Sequence, residues 1–273
     1  MPPCYNLRMV TEILRPETVQ EALKARALPG SAFLGGGTWL NASYSAEPIT
    51  LISLEKLGLD SIEPGGKRCV IGATATFQRI VDHPGLPAAV RRAAGLTASR
   101  TLRNMMTMGG EIALHPADSA IIPILVAMGA EVLFAGKKKP VPIYAFLSDR
   151  DSGLVLAVTI PEPLRPSAVL AVSRTSHSPR SLVVAATAAS LRPKVSGLRV
   201  FVSDCRAGPV RLTRLEELLE GQPLPSRAEI EGMSFEFAPL ADMQASSRYK
   251  LYMTKVLAAD ALHQMRGDAQ GAA

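Results

Sequence analysis

Residues 31–42 read SAFLGGGTWLNA and residues 101–114 read TLRNMMTMGGEIAL. In the first stretch an apolar run, residues 32–34, has the character of a short strand and stops at Gly35, Gly36 and Gly37, with Thr38 behind them. Glycine accepts positive φ and lets a ligand approach the backbone closely. Successive N–H groups in such a turn form a concave nest for an anion, typically phosphate, and Thr38 adds a hydroxyl donor. In the second stretch Thr107, Met108, Gly109 and Gly110 offer the same chemistry about 70 residues later. Two facing nests suit the two phosphates of a dinucleotide. Neither loop matches GxGxxG or GxxxxGK[ST], and no lysine follows at P-loop spacing, so the Rossmann and P-loop readings lose support.

The flanks of both loops carry mixed patterns. Residues 8–14 alternate as a strand, Pro16 precedes the helical run ETVQEALKARA, and Pro29-Gly30 stop it. Between the loops, ITLISLEKL and CVIGATATF read as buried strands and FQRIVDH as a helix closed by His83-Pro84. LPAAVRRAAGLTASRTLRNM reads as one helix, broken by Gly109 and Gly110. SAIIPILVAMGA reads as a buried helix capped by Asp118 or Ser119, followed by the strands AEVLFAG and GLVLAVTIPEP. LRPSAV marks a boundary. Beyond it AVLAVSR, LRVFVSDCRAG and PVRL read as strands, while SLVVAATAAS suits strand or helix. LTRLEELLEG and SSRYKLYMTKVLAADALHQM are amphipathic helices. In the last, Tyr249, Tyr252, Val256 and Ala259 recur at helical spacing, a pattern that reads as core packing. Helices interleaved with short strands argue for an α+β or α/β fold.

Composition bounds the function. The 273 residues suggest about two domains. A chain 47% hydrophobic and 20% charged supports a packed core, and 5% aromatics disfavours a nucleic-acid stacking platform. The net charge of +6 is scattered apart from Lys137, Lys138 and Lys139, which read as a solvated turn. Cys4, Cys69 and Cys205 lie far apart, which suits a reducing compartment and cannot furnish the four thiolates of an iron–sulfur cluster. MPPCYNLRMV has no apolar signal core, and the longest apolar stretches reach about half a membrane span. The expected location is cytoplasmic, without membrane or nucleic-acid partners. No HExxH, GxSxG or Cys/His cluster is present, so neither a metal site nor a catalytic dyad is expected. His83 and His177 read as loop residues, His263 as a surface or packing residue, and His115 as a loop residue close to the second glycine pair.

With two glycine loops in this order, FLGGGTWLNA and LRNMMTMGGEIA together resemble the flavin-binding subunit of the molybdenum hydroxylases, the family of xanthine dehydrogenase and carbon monoxide dehydrogenase. PADSAIIPILVAMGAEVLFAG resembles the helix and strand that follow that family's second loop. The resemblance implies a two-lobed α+β FAD-binding domain of the vanillyl-alcohol-oxidase/PCMH type at 1–165, with lobes at about 1–55 and 56–165. A small C-terminal α/β domain would follow at 166–273. It implies that Leu34, Gly35, Gly36, Gly37, Thr38, Trp39 and Leu40 wrap the pyrophosphate and adenosine side of FAD. Thr107, Gly109 and Gly110 would form the opposite wall, Ala98, Leu102 and Met106 would lie along the flavin, and Asp118 would bond the nucleotide portion. Trp39 packs either on the cofactor or as a buried anchor. Glu111 stands where the family usually has Asn, and a carboxylate there would turn from a diphosphate or meet a cation.

The resemblance further implies a role as the electron-transfer subunit of an oxidoreductase complex. Its partners would be a molybdopterin-binding large subunit and a [2Fe-2S] small subunit, with NAD+ or another final acceptor. A stand-alone flavin-dependent reductase or oxidase, and a non-catalytic scaffold with degenerate loops, are the alternatives.

Overall fold

The computed structural model describes residues 9–42, 47–149, 153–175, 178–204, 208–235 and 237–268. Cys4, Cys205 and His177 lie outside them. Three sheets follow one another along the chain. The first comprises β1 (Val10–Leu14), β2 (Ser31–Leu34) and β3 (Ile49–Ser53), in the order β1-β3-β2 and parallel throughout. Parallel neighbours need crossovers. Helix α1 (Val19–Arg26) connects β1 to β2, and the short α2 (Thr38–Ala42) lies between β2 and β3. The Thr18 hydroxyl caps α1 by accepting from the Glu21 N–H at 3.2 Å. Central β3 is nearly all buried, and Ile52 packs with Ala22 of α1.

The second sheet is antiparallel, with β4 (Ile62–Glu63), β5 (Arg68–Gly72), β6 (Glu131–Phe134), β7 (Val141–Pro142) and β8 (Val155–Pro161) in the order β4-β5-β8-β6-β7. Between β5 and β6 run α3 (Phe77–Asp82), α4 (Ala88–Thr97), α5 (Arg100–Arg103), α6 (Met108–Leu114) and α7 (Ile121–Ala127). Helix α8 (Ile143–Asp149) follows β7. The helices bury Phe77, Val90, Met108, Ile112 and Leu125 with Ile71, Val132 and Val158 of the sheet. All seven residues of α7 are buried, as a helix apolar on every side requires.

The third sheet, antiparallel in the order β12-β11-β10-β9, contains β9 (Ser167–Ser173), β10 (Arg180–Thr187), β11 (Arg199–Ser203) and β12 (Val210–Arg211). Helices α9 (Thr213–Leu219), α10 (Arg227–Gly232) and α11 (Ser247–Asp268) accompany it. One face has its own core, built from Val184, Ala186, Val200, Val202, Leu215 and Leu262 among others, while the other sends Val169, Val183, Ala185 and Phe201 into the core around α4 and α7.

Several sequence expectations change. The run LPAAVRRAAGLTASRTLRNM is two helices, because Ala98 is extended and the Ser99 hydroxyl caps a new start, accepting from the Leu102 N–H at 3.5 Å. Gly109 and Gly110 do not break a helix; they lie in the first turn of α6, which Thr107 caps. SLVVAATAAS supplies strand β10, buried along seven of its eight residues, and it shows no alternation because both faces are covered: Val183 and Ala185 enter one core, Leu182, Val184 and Ala186 the other. On α11, Tyr249 and Tyr252 are 44% and 60% exposed, so of the expected stripe that pair is not core, Val256 is half-buried and Ala259 is fully buried. The buried face carries Lys250, Thr254, Leu257, Ala258, Ala261 and Met265 instead.

Candidate functional site

Strand β2 ends at Leu34, and the chain turns through three glycines into α2. Gly37 has φ +71°, a conformation that favours glycine. Gly35 and Gly36 serve another purpose. A Cβ on Gly36 would fall onto the Met105 carbonyl group, 2.5 Å from its carbon. A Cβ on Gly35 would lie 2.8 Å from Thr107 Oγ1. The missing side chains therefore let the first loop seat directly on the chain that enters the second. A cleft of about 580 Å³ opens beside this junction.

The two loops are not equivalent donors. In the second, the Met108 and Gly109 N–H groups bond to Ala75 O at 3.0 Å and Ala73 O at 2.7 Å. Gly110 N–H bonds to Thr107 Oγ1 at 3.2 Å, and Glu111 N–H to Thr107 O at 3.0 Å. Within that loop the Thr107 N–H alone has no acceptor among the described residues, so the expected pair of facing nests becomes one nest and one wall. In the first, the N–H groups of Gly35, Gly36, Gly37 and Thr38 donate to no protein acceptor among the described residues. Unpaired donors facing a cleft are where an acceptor-rich ligand gains most.

Gly35, Gly36, Gly37, Thr38, Trp39, Leu40, Met106, Thr107 and Gly110 line the cleft. Leu34, Ala98, Leu102, Gly109 and Asp118 are not among its lining residues. Gly109 is pressed onto Ala73, where a Cβ would meet Ala73 Cβ at 2.8 Å. Ala98 links α4 to α5, its carbonyl bonded to Arg103, and Leu102 is 46% exposed on α5. Asp118 is engaged by Arg180: its carbonyl accepts from Nε at 3.0 Å, and its carboxylate stands 3.7 Å from Nη2. Trp39 is 51% exposed, which removes the buried-anchor reading.

Sequence reasoning missed part of the wall. Arg26, in the last turn of α1, brings a cation to the cleft, and Phe146 of α8 brings a ring. The only signal for Arg26 was a basic residue at a helix end close before the glycines. His115 also lines the cleft, in a left-handed conformation (φ +34°) that ends α6, and its ring meets Phe146 edge-on at 6.0 Å. Glu111 lines the cleft too but is 3% exposed. Burial pushes its pKa up to about 7, Asp118 adds to the rise, and Ser119 and Arg180 oppose it.

The comparisons with known proteins agree with the family resemblance. The model of the FAD-binding domain in molybdopterin dehydrogenase matches residues 8–163. A protein of Escherichia coli strain K12, YgfM, described as uncharacterized, is 32% identical over 255 residues, spanning 92% of this chain and 95% of that one. A chain of quinoline 2-oxidoreductase from Pseudomonas putida 86 superposes with a TM-score of 0.84 at 18% identity, covering 96% of this chain and 98% of its own. A chain of reconstituted CO dehydrogenase from Oligotropha carboxidovorans gives 0.81 at 20% identity, covering 96% and 99%. At such identities the two structures speak to the fold, which is the expected α+β arrangement. The chain belongs to the family of FAD-binding domains of molybdopterin dehydrogenases, and its cofactor is FAD. No helix among the described residues is long and apolar enough to cross a membrane. No cluster of three or more His, Cys, Asp or Glu among them is placed to hold a metal ion.

Proposed function

We infer that this chain is the FAD-binding electron-transfer subunit of a molybdopterin-dependent hydroxylase or dehydrogenase. It would take electrons from iron–sulfur clusters on a [2Fe-2S] small subunit and deliver them to NAD+ or another acceptor. A molybdopterin-binding large subunit would hold the substrate, and the complex would work in the cytoplasm. The single observation that carries the reading is the junction at Gly36, where one glycine loop rests on the backbone leading into the other and a cleft opens beside it.

The residues fit the cofactor. The cleft volume is in the range of small-molecule sites. The free N–H groups of residues 35–38 would hold the diphosphate, and Arg26 would add a positive charge beside it. Thr107 and Gly110 form the wall opposite, and Met106, Trp39 and Phe146 offer apolar surface for the flavin and adenine rings. Leu34 and Gly109 support the loops from behind. Ala98, Leu102 and Asp118 belong to the helices and ion pair around the cleft. In this reading residues 1–165 would surround the cofactor and residues 166–273 would form a domain packed against them.

When bound, FAD supplies the ability to exchange electrons singly and in pairs. The protein's part is position and electrostatics, and no acid–base dyad of its own is required. Purifying the full chain and recording its absorbance before and after FAD addition tests the cofactor site: a flavin spectrum retained through gel filtration is expected. Co-purification with molybdenum and iron–sulfur chains, followed by NAD+ reduction by the complex alone, tests the relay. Substrate turnover by the isolated chain would instead identify a stand-alone flavoenzyme.

A further inference from the structure

Glu111 is the buried ionisable group that the cofactor reading leaves unexplained. It follows Gly110 in α6, lines the cleft and keeps 3% of its surface exposed. Its Oε1 is tied down, because the Ser119 hydroxyl donates to it at 2.6 Å. Ser119 Oγ accepts from the Ile122 N–H at 3.2 Å, which leaves the hydroxyl proton directed to the carboxyl group. Glu111 Oε2 has no protein partner among the described residues.

The surrounding charges do not neutralise it. Arg180 is spread over other acceptors: Nε on Asp118 O, Nη1 on Leu96 O, Nη2 on Thr97 O, and an ion pair with Asp118. No Lys or Arg among the described residues forms an ion pair with Glu111. Asp118 adds like charge. Arg26 and His115 line the same cleft, and of the strands packed on α6, β5 carries Arg68 and Cys69 while β8 carries no titratable side chain. A buried carboxylate without a partner cation, facing a diphosphate, is driven to become a neutral acid.

We propose that Glu111 receives the flavin dinucleotide as a carboxylic acid, so that FAD binding takes up one proton from solvent and the Oε2–H becomes a hydrogen-bond donor in the cleft. The proposal rests on the reading of the cleft as the FAD site. The balance is simple: carboxylate, solvent proton and FAD give carboxylic acid with FAD bound, and no electron moves. Glu111 is thus a binding residue that couples cofactor affinity to pH. Its raised pKa means that close to neutrality the free chain already carries part of that proton.

The test is titration of FAD into the full chain freed of flavin, followed by fluorescence, between pH 6 and 8.5 at constant ionic strength. The dissociation constant is expected to rise by up to about tenfold per pH unit above neutrality. Glu111→Gln keeps a donor and carries no charge; it is expected to flatten the profile and to bind about thirtyfold tighter than wild type at pH 8.5. Calorimetry of the wild type at pH 8 in two buffers of different ionisation heat should read close to one proton taken up. This measurement decides the matter even if the variant fails to fold. Affinity independent of pH with no proton uptake overturns the proposal while the FAD site stands. A slope lost in His115→Asn and kept in Glu111→Gln assigns the proton to His115 and overturns it as well. Failure of FAD to bind the wild type at every pH removes the cofactor reading itself, and this inference with it.

Discussion

Substituting Gly36 by Ala tests the junction between the loops most directly. The new Cβ would sit 2.5 Å from the Met105 carbonyl carbon and 3.3 Å from the Met106 nitrogen. Carbon atoms in good contact are separated by roughly 3.5–4.0 Å, so the overlap is about 1 Å. The groups struck are backbone, and no side-chain rotation relieves them. The loops must part. Overpacking costs roughly 1–3 kcal/mol, and a clash between two main-chain segments belongs at the upper end, about 3 kcal/mol. If that displacement opens the cleft, FAD affinity falls on the order of 100-fold. Gly66→Ala is the matched control, since its Cβ would meet only Leu164 Cδ1 at 3.7 Å, an ordinary contact. Urea unfolding of the flavin-free chains and fluorescence titration with FAD give both numbers. If Gly36→Ala matches Gly66→Ala in stability and in affinity, the two loops do not meet at Gly36.

Other consequences follow from single residues. Glu111 has its folded pKa raised to about 7 against an ordinary 4.5, so the stability it contributes is full below pH 4.5 and is lost as pH rises through 7. Glu111→Gln should remove this pH dependence, worth about 3 kcal/mol between pH 4.5 and 8, in urea unfolding of the flavin-free protein. Arg180→Ala strips Leu96 O, Thr97 O and Asp118 O of a charged donor and should cost about 2–4 kcal/mol in the same assay. Arg180→Lys should recover little of it, because an ammonium group lacks the planar fork. Cys69 is fully buried and its thiol is pushed up to about 11 by burial. Mass spectrometry should find its peptide alkylated by iodoacetamide only in denaturant; labelling at native rates would contradict the packing of β5.

The sequence alone was enough to locate the two glycine loops, the alternation of helices and strands, and the family they resemble. The legible features were local: a run of glycines, a proline or glycine that ends a helix, an amphipathic period. Misreadings arose where a neighbour distant in sequence set the outcome. Gly109 and Gly110 resemble helix breakers until Ala73 shows why no side chain fits at 109. The Tyr249 and Tyr252 stripe keeps helical spacing, yet α11 turns Lys250 and Thr254 inward instead. Which loop offers free amides depended on Ala73, Ala75 and Thr107 supplying acceptors to the second and none to the first. Arg26, Phe146 and the state of Glu111 could be read only from packing. Local preference is written into residue order because it acts over a few bonds; hydrogen-bond satisfaction, close backbone approach and the desolvation of a carboxylate depend on what the folded chain brings alongside.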